Sequence, residues 1–259
     1  MADFSAAYNS IPPVTRSLLV GTALVTFPCL LGTTSPASVA LVWKRVTTSY
    51  QIWRPVSCFF FGGGGFPLLY DFFLIYRNSS AMERDTYRND TAEYAWLHVM
   101  LATFILVFNI PLGLPFLFRS LLHAQTYVWC RSNPTVKVSI FGLITIPTSL
   151  YPPALILLDL LTGGPMKASG GVIGVLAGHL WWFLATYLPL HAPTHLRRSN
   201  PLAPPSFFRG LFAPTSRSTF AVPGRTWVQT PAATTARPSP TEAVRHRWGG
   251  GQRLGGESL

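Results

Sequence analysis

Long apolar runs alternate with short polar breaks along this chain, and the runs are long enough to be membrane spans. Crossing the hydrocarbon core takes about 20 apolar residues. The first run is 17–32, with Pro28 near its far end. A mixed loop from Thr33 to Pro55 follows, holding Trp43, Lys44, Arg45, Tyr50, Trp53 and Arg54, a composition suited to the headgroup region. The second run, 57–76, opens on Phe59, Phe60 and Phe61 and is weakened by Gly62 to Gly65 and by Pro67. Loop 77–93 is strongly charged. Region 94–130 is too long for one span and short for two. Pro111, Gly113 and Pro115 break it, giving helices over 94–110 and 112–130 or a single helix to about Phe118. The fifth run is 137–161, interrupted by Pro147, Pro152 and Pro153. Gly163-Gly164-Pro165 predicts a turn, and the sixth run is 169–189.

After Leu190 the periodicity stops, and Pro, Ser, Thr, Ala and Arg dominate. The pattern predicts a membrane domain over 1–190 and a basic, disordered tail over 191–259. Composition agrees, since only 11% of the 259 residues are charged, against roughly 25% in soluble domains. The net charge of +11 is concentrated: from His191 onward nine arginines face only Glu242 and Glu257. Because these arginines are dispersed among Pro, Ser and Thr, the basic flank of a membrane span is the better reading, and no nucleic-acid partner is expected. Six spans put both termini on one side, and the arginines place that side in the cytosol. No cleavable signal peptide is evident, because the apolar stretch after Arg16 is long enough to remain as a span. Cys29, Cys58 and Cys130 have no paired spacing and read as small buried apolar residues.

Gly174 and Gly178 lie four residues apart in the sixth run, a spacing that lets two helix backbones approach, and His179 follows them. An imidazole inside a span faces protein or water; a hydrogen-bonded structural histidine and a residue of a polar cavity both satisfy this. Trp53 and Arg54 form an interfacial pair before the second run. Asp71, Arg119, His123 and Asp159 fall in or near spans, and the sequence assigns them no chemistry. Nucleophilic catalysis calls for a serine on a glycine-rich turn beside a base. Ser169 precedes Gly170-Gly171 but lacks the upstream glycine. No metal-ligand spacing or phosphate loop stands out, and neither metal nor cofactor is expected. Asn78 and Asn89 head Asn-x-Ser/Thr sequences in a loop placed in the cytosol, so they test the topology. Near the C-terminus, Trp248, Gly249, Gly251, Arg253, Leu254 and Gly255 belong to a stretch that cannot build a core. It can lie extended on another protein, with Trp248 and Leu254 as anchors and Arg253 as the charge between them.

Tyr8-Asn9-Ser10-Ile11-Pro12-Pro13-Val14-Thr15-Arg16, Tyr50-Gln51-Ile52-Trp53-Arg54-Pro55 leading into Phe59-Phe60-Phe61-Gly62, Tyr127-Val128-Trp129, Phe141-Gly142 before Tyr151-Pro152, and Gly174-x-x-x-Gly178-His179 together resemble segments of the derlin family. Pro204-Pro205-Ser206-Phe207-Phe208 resembles the family's post-membrane segment, and Trp248 to Gly255 resembles its box for valosin-containing-protein-type AAA+ ATPases. The proline breaks of the fifth run and Arg119 depart from that pattern. The resemblance implies an all-α membrane protein of the endoplasmic reticulum, a rhomboid-like six-transmembrane bundle without protease activity, and 94–130 as two spans. It implies that Trp53 and Arg54 are the luminal-loop motif, and that Gly174, Gly178 and His179 form the sixth-helix packing motif. The function it implies is endoplasmic-reticulum-associated degradation: misfolded proteins engaged in the bilayer, moved towards the cytosol, and pulled by a recruited ATPase. Ubiquitin-ligase components are further expected partners. The rival readings are an active intramembrane serine protease of the same fold and a small-solute transporter.

Overall fold

Proline fixes where several helices begin. In the computed structural model, α1 (Pro13–Leu30) starts on Pro13, α2 (Phe66–Ala81) carries Pro67 in its first turn, and α5 (Tyr151–Trp182) carries Pro152 there. Proline suits the first turn because the N–H it lacks has no partner within the helix. α3 (Thr91–Phe108) starts on Asp90, whose carboxylate accepts the Glu93 N–H at 3.0 Å. α4 spans Phe118–Ser132 and α6 spans Ser206–Phe212. Short helical turns at Pro36–Val39, Trp43–Thr48 and Arg54–Ser57 occupy the loop after α1. The structure describes residues 6, 8–88, 90–140, 144–193, 195 and 199–212. The chain divides into two units, 1–214 and 215–259, and all described residues belong to the first. The terminal stretch from Trp248 to Gly255, and the expectation of disorder there, lie outside the described residues.

The helices differ from the apolar runs at specific places. Region 94–130 is two helices, joined by a turn that Asn109 closes on both sides: its Nδ2 donates to the Leu114 carbonyl at 3.0 Å, and its Oδ1 accepts the Leu114 N–H at 2.9 Å. The second run begins at 57, but α2 begins only at Phe66, after Gly63 and Gly65 at positive φ. The fifth run divides, and its first part is an antiparallel hairpin of β1 (Lys137–Ile140) and β2 (Ile144–Pro147), with Lys137 opposite Pro147. There Val138-Ser139-Ile140 and Ile144-Thr145-Ile146 alternate apolar and polar residues, a period of two that suits a strand. The fifth and sixth runs meet at Gly164, whose φ of 72° and ψ of −172° break α5 into arms over 151–163 and 165–182. The second arm continues in wider turns over Phe183–His191. Part of the segment expected to lack structure is helical: α6 lies against α3, with Phe208 edge-on to Trp96 and Arg209 3.2 Å from Asp90. These tertiary contacts order seven residues that have little helical tendency of their own.

Among the described residues, three helical stretches are long and apolar enough to cross a membrane: Pro13–Leu30, Thr91–Phe108 and Thr148–His191, the last of them 44 residues long and containing the Gly164 break. α2 and α4 have 16 and 15 residues, about 24 and 23 Å at the helical rise, which is less than a hydrocarbon core of about 30 Å. α4 is polar because its neighbours are protein. It packs most extensively on α5, and also on α2 and α3, and it buries Ser120, His123, Gln125 and Thr126. Outward positions such as Leu24, Leu69, Val107, Leu161 and Leu176 are exposed and apolar.

One buried hydrogen-bond chain ties four helices together. The Glu83 carboxylate accepts the N–H groups of Val14 and Thr15 at 3.0 and 2.9 Å and the Thr15 hydroxyl at 2.9 Å. It caps α1, which has no side-chain cap of its own, and places a negative charge at the helix's positive end. A carboxylate only accepts and an amide nitrogen only donates, so the direction of every bond follows: Gln125 Nε2 to Tyr94, Tyr94 to Ser79, Ser79 to Thr15, Thr15 to Glu83. Glu83→Gln is expected to cost about 2–3 kcal/mol, because it replaces charge-assisted bonds in a dry site. A lowered Tm of the detergent-purified protein, alongside an unchanged Ser17→Ala control on the exposed face of α1, is the check.

Candidate functional site: an ion cluster at an interhelical seam

The site is built on the contact between α4 and the second arm of α5. A side chain at Gly174 would put Cβ 2.1 Å from the Ser120 carbonyl oxygen, and one at Gly178 would put it 2.7 Å from that of Ala124. Only glycine permits this approach. Gly171 similarly leaves room for the His123 ring, whose Nε2 lies 3.2 Å from the position of a Cβ. Arg119 and His123 are four residues apart and so share one face of α4.

On that face the charged residues left unassigned by sequence come together. Arg119 reaches Asp71 of α2 through Nη1 and grips Asp159 of α5 with Nη2 and Nε, the two-pronged geometry of guanidinium on carboxylate. His123 Nε2 donates to Asp159 Oδ2 at 2.6 Å, and Lys167 Nζ lies 3.6 Å from Asp159 Oδ1. Asp71, His123 and Asp159 are buried, and Arg119 and Lys167 are partly open. With His123 neutral the charges cancel: two cations and two carboxylates. Isolated charges at this depth are costly, whereas a neutral cluster with its bonds satisfied is tolerated. The cluster joins α2, α4 and both arms of α5, with Lys167 lying just beyond the Gly164 break.

α2 and α5 do not pack closely on each other; α4 lies against both. A cavity of about 100 Å³ lies between them, bordered by Tyr70 and Asp71, by Leu158, Asp159 and Thr162, and by Arg119. It has room for several waters. Arg119 therefore acts as a clasp across a seam.

Arg54 and Trp53 lie elsewhere and do different things. Arg54 is 2% exposed; its Nη1 donates to the carbonyls of Ala37 and Ala40 at 2.8 and 2.6 Å, and its Nε to Gln51, so it gathers the loop after α1. Trp53 is 54% exposed. His179 Nδ1 meets the Tyr127 hydroxyl at 2.6 Å, away from the ion cluster. Ser169 donates to the Met166 carbonyl within its own helix. Cys29, Cys58 and Cys130 are free and buried. Asn78 is fully buried and donates to Thr126 at 3.2 Å, so it cannot accept a glycan in the folded protein; Asn89 lies outside the described residues. Lys167 and the pairing of Asp71, Arg119 and Asp159 were not foreseen from sequence. The available signal was the near-equality of opposite charges within apolar runs, but partners 40 and 48 residues apart cannot be matched without helix register.

Apolar helices around a polar central helix, with a neutralised ion cluster inside and leucines outside, define an α-helical membrane protein. The Der1-like family matches residues 11–201. Derlin-1 of Arabidopsis thaliana is 33% identical over 190 residues, covering 71% of this chain and 69% of its own length. Derlin-2.1 of the same plant is 30% identical over 219 residues, covering 80% and 86%. Derlin-1 of Oryza sativa subsp. japonica is 30% identical over 197 residues, covering 73% and 79%. The chain belongs to the Der1-like family. The family match ends before the terminal box at Trp248.

Two outcomes follow from this geometry. Gly174→Ala is expected to destabilise by about 1–3 kcal/mol through overpacking against the α4 backbone, whereas Gly210→Ala, with open space around it, leaves Tm unchanged. Arg119→Leu alone takes the guanidinium from buried Asp71 and leaves buried Asp159 only His123 and Lys167, and should cost about 3–5 kcal/mol. Combining it with Asp71→Leu and Asp159→Leu should recover most of that loss. Thermal unfolding of the single and triple variants in detergent measures the difference.

Proposed function

We propose that this protein is a non-enzymatic factor of endoplasmic-reticulum-associated degradation that helps misfolded proteins leave the membrane towards the cytosol. The observation that carries the reading is the clasped seam between α2 and α5. A bundle that serves only as an anchor has no need of a cavity with room for several waters and an ion cluster where two helices do not pack closely. A passage for polypeptide needs polar groups that become available to a partner when the helices part, since backbone in lipid must find protein or water. The short α2 and α4 support it as well, because they favour a thinner bilayer around the seam. Substrate would enter from the bilayer, with Trp53 and Arg54 organising the luminal loop.

In this reading the bundle crosses the membrane six times, the two arms of α5 counting separately, and both termini are cytosolic. The tail carries the box from Trp248 to Gly255, which recruits a valosin-containing-protein-type AAA+ ATPase; ubiquitin-ligase components complete the assembly. The serine-protease reading is disfavoured by Ser169, which is bonded to its own helix backbone. Fluorophosphonate labelling lost on Ser169→Ala would revive it.

Three measurements test the proposal. Degradation of a misfolded membrane substrate should slow in cells expressing Arg54→Ala, with ATPase co-purification intact. A peptide covering Arg245 to Gly256 should bind the ATPase's N-terminal domain with a Kd of micromolar order, roughly −8 kcal/mol, and lose binding when Trp248 and Leu254 are both replaced by Ala. Unchanged calorimetric binding of that double variant overturns the recruiting role. Asn89 should carry no glycan; a glycosidase-sensitive mass shift removed by Asn89→Gln overturns the topology.

A further inference from the structure

A larger cavity, about 310 Å³, opens where the end of α4 meets the start of α5 and Trp182. Its cation is Arg131. The guanidinium lies 4.4 Å from the Trp182 ring centre and 5.4 Å from that of Tyr127, and Nε donates to the Tyr127 hydroxyl at 2.9 Å. That hydroxyl also meets His179 Nδ1. Two rings and a hydrogen bond thus fix the side chain, so a ligand need not freeze it. Among the described residues nothing bonds its Nη1 or Nη2. Across the cavity the Thr148 hydroxyl is committed to the Asn133 and Pro134 carbonyls, while the Ser149 hydroxyl has no partner among the described residues. Among the described residues no Asp or Glu borders the cavity. This is the reverse of the Arg119 cluster, where two carboxylates neutralise the guanidinium.

Position along α5 points to the source of an anion for this cavity. Trp182 lies eighteen residues beyond the break at Gly164, about 27 Å along a helix, which is close to the thickness of the hydrocarbon core. With Gly164 at one face of the hydrocarbon core, Trp182 falls at headgroup level in the opposite leaflet, where tryptophan and tyrosine are favoured. Pro152 and Trp182 give the cavity an apolar wall. A single guanidinium and a single hydroxyl make a weak site for a dilute free anion, but a sufficient one for a ligand held at high local concentration in the same membrane.

We propose that this pocket binds the phosphate of an anionic membrane lipid, with Arg131 Nη1 and Nη2 forking onto its oxygens and Ser149 donating to a third. The site requires that α5 cross the bilayer, and does not depend on the degradation role.

The test uses the full chain in nanodiscs of phosphatidylcholine with a minority of phosphatidic acid, followed by native mass spectrometry of the retained lipid. Wild type is expected to keep one phosphatidic acid per chain. Arg131→Gln should weaken that preference by about tenfold, the loss of a charge-assisted pair. Ser149→Asp, whose carboxylate repels the phosphate and competes for the free Nη1 and Nη2 of Arg131, should abolish it. If Arg131→Gln does not fold, judged by its Tm, Ser149→Asp decides. Equal retention by wild type and Ser149→Asp overturns the proposal. Displacement of the lipid by inorganic phosphate also overturns it, pointing to a free-anion site. So does a loss in Lys44→Gln, an exposed change outside the cavity, as large as that in Arg131→Gln, since that result means attraction to surface charge alone.

Discussion

The fold turns on how closely the second arm of α5 approaches α4. Gly174 and Gly178 bring two helix backbones to a distance that even a methyl group would prevent. Between helices in lipid there is little hydrophobic drive, so dispersion and polar bonds have to supply the attraction, and both grow as backbones approach. This contact also decides where charge can lie. It sets Arg119 and His123 of α4 facing Asp159 on the first arm and Lys167 on the second. Were α5 moved outward by a side chain at Gly174, the guanidinium would lose the geometry that lets it neutralise two carboxylates at once.

A polar helix at the centre imposes a rule on everything around it: each neighbour must bring partners. α1 and α3 meet the demand through Thr15, Tyr94 and the Glu83 carboxylate, on one chain of bonds with a fixed direction. α2 meets it twice, with Ser79 and Asn78 near one end and Asp71 nearer the other. The Glu83 chain is fully buried and reinforces close helix packing, while the Arg119 cluster stands beside a cavity between helices that do not pack closely. The bundle is thus joined by a dry hydrogen-bond chain on the α1–α3 side and by a polar clasp on the α2–α5 side.

Much of the helical order was legible in the apolar runs, and the breaks at Pro111–Pro115 and Gly163–Pro165 are where helices end or bend. What was not legible depends on distance in space. The hairpin at 137–147 reads as hydrophobic when averaged, and only its two-residue alternation identifies it. The glycine pair announced a close contact but not its partner, because the face of α4 that receives it includes polar residues that hydropathy discounts. Asp71, Arg119, His123 and Asp159 were visible one by one as charges in apolar runs. Their common site required the register of three helices. α6 was missed because its order comes from Trp96 and Asp90, more than a hundred residues earlier.

The two arginines of α4 show how one helix can carry opposite uses of the same side chain. Arg119 is surrounded by acceptors, so its charge is spent inside the bundle, and separating α2 from α5 must break those bonds before water replaces them. Arg131, three turns further along, is held by aromatic faces that take nothing from its outer nitrogens. Ring faces attract a cation without neutralising it. A guanidinium fixed in this way keeps its charge for something that arrives, whereas one fixed by carboxylates has none to give. Along α4, then, acceptors close the bundle at one end and aromatic rings leave it receptive at the other.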